Sequence, residues 1–293
     1  MAAFLIRDFL GALASRRLLA ISVILATLVV VTGVALALVF LGIPTPDDGP
    51  PEGIPDPLEV WHSGGDGILT SIGFGLIPLL LPALPIALVS VSVARDRSSR
   101  LSELALSKPV PPWGPAVGKF IGLTAAASIP TIALSLGSAV AIQVVVGTPL
   151  NSELVTAFVV ANLLLTALYL ALALLLTTMF TPRTVTSLLI LIWLGFNAIR
   201  QTAFILSARL ATILGAEEAL TFTTGVTDLV SFTGLYQGVL ASAVPPALVF
   251  IISPEASLPL AQFASAAMPW ASLAWLVGLV FAYAWLNRRV PTN

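Results

Sequence analysis

The sequence predicts an all-α, polytopic integral membrane protein, and three observations predict it. Of 293 residues, 58% are hydrophobic and 9% charged, whereas a soluble domain carries about 25% charged residues. Too few charges exist to cover a water-facing surface, and the mean hydropathy is +1.03. Apolar runs long enough for a hydrocarbon core of about 30 Å recur along the chain. Basic residues gather in alternate connections between those runs.

The elements follow in order. Residues 2–17 are mildly amphipathic, with Phe4, Leu5, Phe9 and Leu13 on one side and Arg7 and Ser15 on another. They predict an interfacial helix along the inner leaflet. Arg16 and Arg17 then precede an apolar run to Leu41. That run is too long for the apolar region of a signal peptide, so 18–41 reads as an uncleaved first span. The loop at 42–67 is rich in Pro, Gly and acids and reads as solvated and external.

The second span, 68–94, contains Pro78, Pro82 and Pro85. Proline lacks an N–H, so these three leave backbone carbonyls unpaired and kink the helix. Broken spans of this kind line pathways or act as hinges. A cytoplasmic loop over 95–119 leads to the third span, 120–146. The fourth covers 154–180 and the fifth 184–206. Residues 207–266 predict external or re-entrant helices, and the sixth span covers 267–286. Leu229 to Ile252 is uncharged and long enough to cross, which leaves a seven- or eight-span alternative open. A seventh crossing would place Arg288 and Arg289 outside, and Pro245-Pro246 would break the helix midway.

With the N-terminus inside, eleven of the thirteen basic residues are cytoplasmic: Arg7, Arg16, Arg17, Arg95, Arg97, Arg100, Lys108, Lys119, Arg183, Arg288 and Arg289. Both termini are then cytoplasmic. The whole chain, 1–293, reads as one transmembrane domain.

Composition also excludes chemistries. Cysteine is absent and His62 is the one histidine. Disulfides, iron–sulfur clusters, thiolate sites and multi-histidine metal sites are therefore excluded. Neither HExxH nor GxxxxGK[ST] occurs. The expectation is a chain that is not itself an enzyme and binds no cofactor.

The stretch 94–122, ARDRSSRLSELALSKPVPPWGPAVGKFIG, holds five of the thirteen basic residues between long uncharged runs. Residues 96–108 can form a short amphipathic helix. Leu101, Leu104, Ala105 and Leu106 supply its apolar side, and Arg97, Arg100, Glu103 and Lys108 its polar side. Pro109, Pro111 and Pro112 then stop it.

This stretch resembles the first cytoplasmic loop of type-2 ATP-binding-cassette (ABC) transporter permeases. In that family the second span is followed by an acid-Arg pair, a Leu-rich helix containing Glu, Ser-basic-Pro-Val and Gly-Lys. Here these are Asp96-Arg97, Glu103-Leu104-Ala105-Leu106, Ser107-Lys108-Pro109-Val110 and Gly118-Lys119. Ser98 departs from a usual acid, and Arg100 from a common glycine. Six spans, an amphipathic N-terminal stretch and a bulky segment before the last span fit the same family.

The resemblance implies a permease domain whose loop carries a coupling helix, with Arg97, Glu103, Leu104, Leu106 and Lys108 contacting a separate ABC-type ATP-binding subunit. ATP and Mg would be bound by that partner and not by this chain. A second permease copy or a homologous permease would complete the unit, in the bilayer of a prokaryotic cell. Nucleic acid is not an expected partner. Export is the direction that the resemblance implies. A secondary transporter or channel, and a membrane scaffold without transport, stay open as alternatives.

Polar residues within the spans supply the remaining candidates for a pathway or interface. Besides Pro78, Pro82 and Pro85 these are Asn162, Asn197, Arg200 and Gln201. The last three lie at i, i+3 and i+4, on one helix face. No span carries a central Asp, Glu, Lys or His, the usual parts of an ion-coupled pump.

Overall fold

The computed structural model describes residues 2–13, 15–41, 65–98, 113–214, 226–244 and 259–287. Every element among these is helical. Four helices are long and apolar enough to cross a membrane: Gly65–Ser90, Gly114–Val146, Ser152–Thr177 and Ala267–Asn287. Two shorter apolar helices, Leu19–Ala35 and Arg183–Ile199, accompany them.

The chain opens with α1 (Ala2–Leu13) and α2 (Arg16–Leu41). α1 docks across α6 (Gly114–Val146), where a Cβ built on Gly122 would meet the Leu5 carbonyl oxygen at 2.7 Å. Only glycine admits so close a backbone approach. Of the expected apolar stripe, Phe9 and Leu13 pack against the core and Leu5 is half-buried. Asp8 and Ala12 are buried, whereas Ile6 and Leu10 are more than half exposed. The close crossing places the short Asp8 and Ala12 nearest α6, with Phe9 and Leu13 packed at their flank. Arg7 Nη2 pairs with Asp8 Oδ1 at 2.9 Å.

The proline-containing segment is broken into α3 (Gly65–Ser71), a π-helical turn over Ile72–Leu76, α4 (Ile77–Leu80) and α5 (Ala83–Ser98). α6 ends at Gly147, whose φ of 77° is left-handed. Asn151 caps α7 (Ser152–Thr177) by accepting from the Glu153 N–H. The Asn151 N–H donates to Asp66 Oδ1 at 2.9 Å, which ties this turn to the start of α3. α8 (Pro182–Leu214) follows.

Residues 226–230 form a helical turn that breaks at Ser231. Ser231 caps α9 (Phe232–Ala241), accepting from the Gly234 N–H. A turn over 242–244 ends the segment, before Pro245-Pro246. The described part of 229–252 is therefore not one continuous helix. α10 (Pro259–Asn287) closes the described chain.

Two hydrophobic clusters hold the bundle. One joins Val29, Ile72, Ile77, Leu81, Phe158, Tyr169, Phe232 and Leu240. The other joins Ala12, Leu84, Leu88, Leu123, Leu174, Val185 and Tyr283. The chain passes from the first cluster at Leu81 to the second at Leu84, on either side of Pro82. The proline break thus lies where the chain passes between two layers of the core, both of which α2, α6, α7 and α10 also run through.

Candidate functional site: a broken helix with borrowed hydrogen bonds

Each proline of the broken segment removes the N–H that would serve the carbonyl four residues earlier. Pro78 leaves the Phe74 carbonyl without that donor. Pro82 does the same to the Pro78 carbonyl, and Pro85 to the Leu81 carbonyl. Pro78, Pro82 and Pro85 are all buried, so bulk water does not compensate.

All three carbonyls find other donors. Gln237 Nε2, from α9, donates to the Phe74 oxygen at 2.9 Å. Trp193 Nε1, from α8, donates to the Pro78 oxygen at 3.0 Å. The Leu84 N–H turns back to the Leu81 oxygen at 3.1 Å. The break is therefore held from two sides by side chains of other helices.

α9 is anchored at its N-terminal end by aromatic contacts. The Phe232 ring meets Tyr169 of α7 at 5.3 Å edge-on, Phe196 of α8 at 5.6 Å and Trp275 of α10 at 6.1 Å edge-on. Such edge-on pairs suit the aromatic quadrupole. Trp275 Nε1 also donates to the Leu229 oxygen at 3.0 Å, just before the break at Ser231. The turn is tight: a Cβ on Gly234 would lie 2.4 Å from Asp228 Cα and 2.6 Å from its carbonyl oxygen. At the other end of α9, Val239 and Ser242 face Ser152, Glu153, Thr156 and Val160 of α7 across an open groove of about 410 Å³.

The face of α9 toward the bundle is polar and buried. Thr233, Tyr236 and Gln237 sit at i, i+3 and i+4 and are each at most 6% exposed. Thr233 Oγ1, Tyr236 Oη and Gln237 Oε1 have no hydrogen-bond partner among the described residues. The Tyr169 hydroxyl approaches the Thr233 side chain without closing a hydrogen bond of sound geometry.

A second polar seam joins α6 to α7. Asn162, fully buried, donates through Nδ2 to Ser135 Oγ at 2.8 Å. The Thr131 and Thr166 hydroxyls lie 3.3 Å apart. Asn162, Thr166 and Tyr169 share one stripe of α7 by their i, i+4, i+7 spacing.

The sequence-derived candidates are thus distributed unevenly. Pro78, Pro82 and Pro85 belong to the broken segment, and Asn162 belongs to the α6–α7 seam. Asn197 is separate, its Nδ2 donating to the Trp193 oxygen one turn back at 2.8 Å. Arg200 and Gln201 lie within α8, their side chains outside the described set. Arg97 falls in the last turn of α5, likewise without a described side chain. Glu103, Leu104, Leu106 and Lys108 lie outside the described residues.

Sequence reading missed Trp193, Gln237, Tyr169 and Thr233. The proline rule could have prompted a search for donors to residues 74 and 78. It could not have named which helices supply them. Compared with known proteins, the chain matches no family model and no curated protein.

Proposed function

We propose that this chain is the membrane-spanning permease subunit of an ABC transporter, driven by ATP hydrolysis on a separate subunit and exporting its substrate. The observation that carries the reading is the ordered wording of residues 96–119, in a chain with no phosphate-binding loop of its own. In this reading force arrives from the ATP-binding subunit, and a short helix stopped by three prolines is a suitable receiver.

The geometry on either side of the loop supports the same reading. α5 leads into the loop and α6 resumes from it at Gly114. A push on the loop would therefore act on the proline hinge and on α6 together. The proline break gives the segment a place to bend, so displacement of the loop would be taken up there first. In this reading α2, the broken segment, α6, α7, α8 and α10 are the six spans, with both termini cytoplasmic and α1 on the inner leaflet.

α9 reads as re-entrant. Phe232 packs at the level of Tyr169, about 26 Å along α7 from Ser152 at 1.5 Å per residue, while Ser242 returns to that outer end. Non-helical backbone at such depth requires a protein or water lining. The aromatic contacts of Phe232 provide the protein one. Trp113, Trp270 and Trp285 are exposed, as interfacial belt residues are.

The reading is tested by producing the full chain with candidate ABC-type ATPase subunits and measuring complex formation and ATP turnover in a bilayer. A stable complex whose turnover differs from that of the free ATPase is expected. If every candidate ATPase elutes separately with unchanged turnover, the proposal fails.

A further inference from the structure

We infer that α9 is a detachable latch, which undocks from α7 and the π-helical turn and opens the groove beside it into a water-lined cleft. Four observations carry this. First, the buried face of α9 is under-satisfied. Tyr236 Oη and Gln237 Oε1 lack partners among the described residues, and Thr233 Oγ1 and, opposite it, Tyr169 Oη meet only each other, in poor geometry. Buried polar atoms without partners favour any state in which water reaches them. Second, α9 is a separate ten-residue body, bounded by the break at Ser231 and the turn at 242–244.

Third, a groove already parts α7 from α9 at their outer ends, lined by Ser152, Glu153, Thr156, Val239 and Ser242. Extending it toward Thr233 would expose these four under-satisfied atoms in one movement. Fourth, Gln237 grips the Phe74 carbonyl, which Pro78 has left without its helical donor. That grip exchanges with water more readily than an intrahelical bond, because the acceptor is already outside the helical ladder. The π-helical turn would be released when α9 leaves. Local opening of this kind draws on the least satisfied part of a fold.

The absence of cysteine makes the test clean. Thr233→Cys is made in the full chain and reconstituted in a bilayer, with Ser242→Cys as the exposed comparison. A water-soluble, membrane-impermeant thiol reagent is applied. A second form adds Gly238→Cys and Met268→Cys, since a Cβ at 238 lies 3.0 Å from Met268 Cβ, so that a shift of about 0.5 Å brings the pair into the disulfide range. Oxidation then fastens α9 to α10.

The latch predicts that Thr233→Cys reacts, that the closed disulfide slows the reaction about tenfold or more, and that reduction restores it. Hydrogen exchange on the unaltered chain gives a reading that needs no variant: amides of 232–241 exchange faster than those of 152–177. The inference is overturned if Thr233→Cys stays inert while Ser242→Cys reacts, or if the disulfide leaves its rate unchanged. Equal protection of α9 and α7 overturns it as well. No ATPase takes part, so these outcomes stand apart from those that test the transport role.

Discussion

Gln237 Nε2 donates to the Phe74 carbonyl oxygen at 2.9 Å, and Pro78 is the reason that oxygen needs a donor from outside its helix. The pairing spans 163 positions of sequence. It converts a local defect into a tertiary contact between the broken segment and α9.

Gln237→Leu removes the donor and leaves the buried carbonyl unpaired. A loss of about 1–2 kcal/mol of stability is expected, since an orphaned buried acceptor costs more than an average hydrogen bond is worth. Thermal unfolding in detergent measures it. Pro78→Ala returns an N–H to the segment, so the loss caused by Gln237→Leu is expected to be smaller on a Pro78→Ala background. Strict additivity of the two substitutions would contradict the proline explanation.

Trp193→Phe keeps one aromatic ring and deletes the pyrrole ring with the N–H that serves the Pro78 carbonyl. A destabilisation of about 1–3 kcal/mol is expected, from the orphaned carbonyl together with the packing lost with the smaller ring. Adding Pro82→Ala is expected to recover part of it. Unaltered thermal stability of Trp193→Phe would show that the bond at 3.0 Å carries no weight.

How much of this was legible in the sequence can be judged from these same residues. The helical elements were legible because their apolar runs are long and bounded by Pro, Gly and acids. The proline break was legible because Pro78, Pro82 and Pro85 act locally. The donors were not, since Gln237 and Trp193 lie far along the chain and only packing brings them close. The burial of Asp8 was missed for a similar reason. An interfacial reading sends acids to water, and here a close backbone crossing at Gly122 buries the short Asp8 side chain instead. Asn162 was legible as an intramembrane polar residue, but its partner Ser135 was not, because serine is common in apolar helices.

Two glycines of α6 form an internal control. Gly122→Ala would place its Cβ 2.7 Å from the Leu5 carbonyl oxygen, whereas Gly137→Ala meets nothing within 4 Å. Alanine exceeds glycine in helix propensity by about 1 kcal/mol. Gly137→Ala is therefore expected to stabilise the chain slightly. Gly122→Ala is expected to destabilise it and to raise protease sensitivity in residues 2–13. Equal responses would argue against close docking of α1.

Asn162→Ala removes the bond to Ser135 between α6 and α7. Interhelical hydrogen bonds within bilayers average about 0.6 kcal/mol, so the hydrogen-bond loss is small and most of the effect comes from lost packing. Asn162→Leu, which fills the space, is expected to be milder than Asn162→Ala. The order is read from thermal unfolding of the two variants side by side.

The proposed coupling role of residues 96–108 is tested most directly by Leu104→Asp. The reconstituted complex of the full chain with its ATPase subunit is compared with the same complex carrying this substitution. The account predicts that an aspartate among the apolar anchors weakens ATPase binding about tenfold or more, as loss of a central interface residue does, while the variant chain keeps its thermal stability. A variant that holds the ATPase as tightly as the unaltered chain, with the same coupled ATP turnover, would contradict it.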